Sequence, residues 1–89
     1  MVQRTVDLVN RLGLHARAAA KFVHVSARFK AGILVRHNDE EVNGKSILGL
    51  LLLAAPCGSL LTITAEGDDA AEALAAVEAL IAERFGEPE

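Results

Sequence analysis

Tryptophan and tyrosine are absent from this chain, and 89 residues hold three phenylalanines, two prolines and one cysteine. A lone Cys57 forms no internal disulfide, which points to a reducing compartment. Phe22, Phe29 and Phe85 are too few and too scattered to stack nucleobases, so a nucleic-acid partner is not expected. No basic-then-apolar leader precedes Val2, and a cytoplasmic location follows as the expectation. The longest apolar stretch, from Ile47 to Pro56, is about half the length a bilayer demands and is closed by proline, so no membrane insertion is expected.

What is present is ample apolar material and an uneven charge. With 52% hydrophobic residues, the chain can build one two-layer domain over residues 1–89 without metal or disulfide staples. The net charge is only −3, yet residues 1–45 sum to +4 and residues 46–89 to −7. A basic half suits acidic partners, because complementary fields mainly raise association rates.

Apolar periodicity gives the order of elements. Val2 to Val9 reads as a strand, with Val2, Val6 and Leu8 on one face and Arg4 interrupting it. After the loop 10–13, a helix carries Ala19, Phe22, Val23 and Ser26 as its buried stripe and Arg17, Lys21, His24 and Arg28 as a basic ridge. Ile33-Leu34-Val35, the turn at Asn38-Asp39 and Glu40 to Val42 form a hairpin. Ser46 is placed to cap a short helix, Ile47 to Leu53, which Pro56-Cys57-Gly58 ends. Leu60 to Glu66 alternates as a strand, with Leu61, Ile63 and Ala65 on one face. The last helix opens on Asp69 and Glu72 as a capping box, buries Leu74, Val77, Leu80 and Ile81, and stops at Gly86 and Pro88. This βαββαβα order predicts an α+β open-faced β-sandwich: a four-stranded antiparallel sheet covered on one face by three helices.

The segment Gly13-Leu14-His15-Ala16-Arg17 carries the chemistry. It sets an imidazole at the mouth of a helix whose first N–H groups lack intrahelical partners and favour an anion. That positive end disfavours imidazolium, which biases His15 toward the neutral ring that can act as a nucleophile. The N–H groups of Ala16 and Arg17, with the Arg17 guanidinium, could hold the oxygens of a phosphoryl group. By itself, a histidine beside an arginine at a helix start is more often a polar cap on a solvated turn.

Gly13-Leu14-His15-Ala16-Arg17, Asn43-Gly44-Lys45-Ser46 and Leu61-Thr62-Ile63-Thr64-Ala65-Glu66-Gly67, in this order of elements, resemble the histidine-containing phosphocarrier (HPr) family of the bacterial phosphoenolpyruvate-dependent phosphotransferase system. The resemblance runs nearly end to end. It implies that His15 accepts a phosphoryl group at Nδ1 from phospho-enzyme I and donates it to a IIA protein, with Arg17 as charge partner and no cofactor or metal. It also implies that Ser46 is a regulatory phosphorylation site for an HPr kinase/phosphorylase. Docking of enzyme I and IIA is then expected on Ala20, Lys21, His24, Ile47, Leu48 and Leu51. At least one of Leu51 and Leu52 is expected in the core, with Leu48 exposed. A carrier that shows one face to successive partners works as a monomer, and an open site suits it better than a deep pocket. Many members have proline where this chain has Ala18; alanine keeps helix propensity, so the helix start should survive.

Rival readings are weaker. An acylphosphatase-type enzyme would need an arginine-bearing glycine loop after the first strand, where this chain has Asn10-Arg11-Leu12-Gly13-Leu14-His15. A purely regulatory paralogue would have lost the histidine that is retained here. His15, His24, His37 and Cys57 show none of the spacings that zinc sites use.

Overall fold

The computed structural model describes residues 1–88. Its elements follow in the order β1 (Val2–Asp7), α1 (Ala16–Ser26), β2 (Gly32–His37), β3 (Glu40–Asn43), α2 (Ile47–Leu53), β4 (Leu60–Glu66) and α3 (Ala70–Ala82), with a 3₁₀ turn at Arg84–Gly86. The four strands form one antiparallel sheet in the order β1-β4-β2-β3. This is the expected open-faced sandwich.

Alternation decides which face of the sheet is covered. On β4, Leu61, Ile63 and Ala65 are buried while Thr62 and Thr64 stay partly exposed; on β2, Ile33 and Val35 are buried and Leu34 is exposed. β4 lies between β1 and β2, pairing Ala65 with Val2 on one side and with Ile33 on the other. The inner faces of three strands thereby merge. Onto them α3 packs against β1 and β4, and α2 against β2 and β3, while α1 touches both other helices. Leu74, Val77 and Ile81 of α3 are buried, each such side chain contributing about 1.5–3 kcal/mol.

The two hairpin-turn residues are Asn38 and Asp39, and Asn38 takes the left-handed conformation (φ 56°) that asparagine tolerates. The Ser46 hydroxyl accepts the Gly49 N–H at 3.0 Å, as an N-cap should.

Four local expectations are corrected. β1 ends at Asp7, and Leu8 is buried beyond it, exchanging backbone bonds with Ser59 and Gly58 at 2.8 and 2.7 Å. Ala18 rather than Val23 completes the fully buried set of α1, because the first turn of this helix is tucked inward. Leu51 and Leu52 are both exposed, at 36% and 67%; the residues of α2 that face inward are Leu50 and Leu53, three apart on one side of a helix too short to bury more. Asp69 makes no side-chain cap on α3. Its two carboxylate oxygens instead accept the N–H groups of Lys30 and Ala31 at 2.9 and 2.8 Å, pinning the chain between α1 and β2.

Candidate functional site

The loop before α1 is shaped by a glycine that no other residue could replace without movement. Gly13 sits at φ +68°, and a Cβ there would lie 2.6 Å from the Ala55 carbonyl oxygen. Leu14 is buried and donates its N–H to that same oxygen at 2.9 Å. The backbone is therefore fixed on both sides of the turn, and the next residue emerges at the start of the helix.

That residue is His15, the N-cap of α1, with extended backbone angles (φ −81°, ψ −179°) and no side-chain bond to its own helix. Its carbonyl accepts the Ala19 N–H at 2.8 Å, so the helix begins normally while the N–H groups ahead of Ala19 lack intrahelical acceptors. Ala18 is fully buried with its helix start intact. The imidazole is half-buried, whereas Arg17 is exposed and its guanidinium has no partner among the described residues. Around them lies an open basin of about 800 Å³ lined by Arg11, Leu12, His15, Ala16, Arg17, Glu87 and Pro88. An anion entering it meets the guanidinium groups of Arg11 and Arg17, backbone N–H donors, one imidazole and the carboxylate of Glu87.

Two residues at this site escaped the sequence reading. Glu87 Oε2 lies 2.5 Å from His15 Nε2, and Glu87 Oε1 accepts a 3.1 Å bond from Asn10 Nδ2. Burial pushes the Glu87 carboxyl up, but the hydrogen bonds from His15 and Asn10 and the nearby Lys21 charge help to outweigh it, holding the group below its ordinary value. Asn10 is fully buried and also donates to the Gly13 carbonyl at 2.7 Å. In sequence, Glu87 stands between a helix-stopping glycine and a proline, 72 residues from His15, and no local pattern links the two.

The approach of Glu87 depends on how α3 ends. Arg84 and Phe85 take left-handed angles (φ 57° and 56°) and Gly86 follows at φ 79°, so the chain turns back sooner than Gly86 and Pro88 alone suggested. The Phe85 ring is buried, and its carbonyl accepts the Lys21 ammonium at 2.6 Å.

Of the expected docking residues, Ala20, His24, Ile47, Leu48 and Leu51 are exposed, while Lys21 is half-buried with its ammonium committed to Phe85. A second open cleft, about 420 Å³, runs along the basic ridge and is lined by Arg17, Ala20, Lys21, His24, Val25 and Leu80. Ser46 opens the neighbouring helix α2, which contacts α1. Among the described residues, no three His, Cys, Asp or Glu side chains gather as a metal site, and no helix is long and apolar enough to cross a membrane.

Known proteins similar to this chain fall in one family and share its fold. Residues 2–83 match the family model described as the PTS HPr component phosphorylation site. The chain is 45% identical over 89 residues to the phosphocarrier protein HPr of Neisseria meningitidis, covering all of both. It superimposes on the crystal structure of HPr-C-His from Thermoanaerobacter tengcongensis with a TM-score of 0.96 at 40% identity, again over all of both chains. A structure of an HPr dimer from the same organism matches at a TM-score of 0.79 and 41% identity, covering 98% of this chain and 100% of that one.

Proposed function

Since this chain belongs to the HPr phosphocarrier family of the phosphotransferase system, we propose that it is a cytoplasmic phosphoryl carrier that takes the group on His15 from phospho-enzyme I and hands it to IIA proteins. The observation that carries this reading is the imidazole at the mouth of α1, in an open basin beside the exposed Arg17, whose guanidinium has no partner among the described residues, and backbone N–H groups that lack intrahelical acceptors. The His15 ring attacks as the donor's bond to phosphorus breaks. The N–H groups of Ala16 and Arg17 and the Arg17 guanidinium stabilise charge on the peripheral oxygens. The basin is open to solvent and to a partner's face, so the group can be passed on.

Exposed Ala20, His24, Ile47, Leu48 and Leu51 supply an apolar, basic docking face for enzyme I and IIA, with Lys21 at its margin. Ser46 is the regulatory position: its phosphorylation by an HPr kinase/phosphorylase adds charge at the start of α2 and opposes docking of an acidic partner. The chain acts as one domain and as a monomer that shows one face to partners in turn. It carries the group without turning over a substrate alone, and it needs no cofactor.

The test is intact mass after incubation with phosphoenolpyruvate, Mg²⁺ and enzyme I. One acid-labile phosphoryl group on the wild type and none on His15→Ala is the expected result. Failure with a cognate enzyme I that phosphorylates another carrier would overturn the reading.

A further inference from the structure

Three groups around His15 constrain one another in a way that the carrier role alone does not require. Glu87 presents one carboxylate oxygen to His15 Nε2 and the other to Asn10 Nδ2, and the Asn10 side chain is fully buried and also tied to the Gly13 carbonyl. The tail that bears Glu87 is itself anchored two residues earlier by the buried Phe85 ring and by Lys21 on the Phe85 carbonyl. The carboxylate is thus held by the tail from behind and by Asn10 from the side.

From this geometry we infer that Glu87 is a positioning residue for His15: its carboxylate accepts the Nε2 proton, fixing the ring as the tautomer whose Nδ1 lone pair is free. A carboxylate is acceptor-only, so the short contact to Nε2 requires a proton on that nitrogen. A second partner for the opposite ring nitrogen is absent among the described residues, which leaves Nδ1 unblocked. Carboxylates act the same way on metal-ligating histidines, fixing the tautomer and the orientation of the ring.

The inference rests on the carrier reading for its purpose. In transfer, the Nδ1 lone pair forms the new N–P bond while the donor–phosphorus bond breaks and its electrons stay on the donor. The Nε2 proton does not leave, and the positive charge that develops on the ring is met by Glu87. Besides Glu87, the charged groups facing this site among the described residues are Arg17 and Lys21 from α1 and Arg11 from the preceding loop; all three are basic. Glu87 is therefore the one anionic group among the described residues that line the basin.

The test uses the full chain with ¹⁵N-labelled histidine and reads ring tautomers by long-range ¹H–¹⁵N correlation. His15 of the wild type is expected as the Nε2–H form, and Glu87→Ala should raise the Nδ1–H form several-fold without changing His24 or His37. Glu87→Gln, whose amide oxygen can still accept the proton, should restore most of the wild-type pattern. Truncation after Gly86 keeps Phe85 and should reproduce Glu87→Ala. In phosphorylation by enzyme I, Glu87→Ala should lower kcat several-fold with KM for the carrier unchanged, because the docking face is intact. An unaltered His15 tautomer in both Glu87→Ala and the truncation overturns the inference. The tautomer readout needs no enzyme I, so a failed inference and a failed carrier reading give different results.

Discussion

Lys21 in the middle of α1 donates a 2.6 Å hydrogen bond to the backbone carbonyl of Phe85, beyond the end of α3. One lysine thereby joins the helix that begins at His15 to the segment that returns Glu87 to it. The basic ridge foreseen along α1 serves two ends: Arg17 and His24 face outward, and Lys21 secures the tail.

The buried Phe85 ring is the anchor of that tail. Phe85→Ala should cost about 3–5 kcal/mol, a large part of the roughly 5–15 kcal/mol that holds a small domain folded. Urea denaturation measures the loss. Amide hydrogen exchange of residues 84–88 should rise more than that of β4, since the damage begins at the chain end.

Asp69 makes stability depend on pH. The N–H of Lys30 is the largest influence lowering its pKa; desolvation opposes it, and the N–H of Ala31, its own N–H and the Lys45 charge add to the lowering. A depressed folded-state value contributes stability that is fully present above the ordinary carboxyl pKa and is lost as pH falls through the folded one. Asp69→Asn should therefore be less stable than wild type near neutrality, and the gap should close under strongly acidic conditions. Thermal melts of both proteins across that range decide it.

Neighbouring leucines of α2 should behave oppositely. Leu50 is fully buried, and Leu50→Ala should cost about 2–5 kcal/mol. Leu48 is 67% exposed, and Leu48→Ala should change stability by less than about 0.5 kcal/mol. If α2 is the docking face, Leu48→Ala should raise the KM of enzyme I for this carrier, by about tenfold for an anchor residue. Equal stability losses at the two positions would contradict the observed burial.

Ser46 separates capping from charge. Ser46→Ala should cost about 1 kcal/mol through loss of the bond from the Gly49 N–H. Ser46→Asp keeps a good cap and should stay close to wild type in melts, while slowing phosphorylation of His15 by enzyme I. A slowing of equal size in Ser46→Ala would assign the effect to α2 itself and remove charge from the account.

Local sequence determined most of the architecture and the placement of His15 in the candidate site. Alternation in Leu60–Glu66 required a strand buried on one face, and Ser46 ahead of Ile47 required a helix start. Gly13 followed by Leu14 and His15 required an imidazole at a helix mouth, because each signal concerns residues a few positions apart. Which leucines of α2 face inward was not local: Leu50 and Leu53 were chosen by where the sheet lies under a seven-residue helix. Asp69 had the spacing of a cap, and the tertiary fold gave it the N–H groups of Lys30 and Ala31 instead. Glu87 is the extreme case. Nothing near it in the chain distinguishes it from a solvated tail residue; only the left-handed turn at Arg84 and Phe85 and the burial of the Phe85 ring bring its carboxylate to His15, 72 residues away. Periodicity and turn chemistry act over a few residues, whereas contacts across the chain exist only after the core has packed.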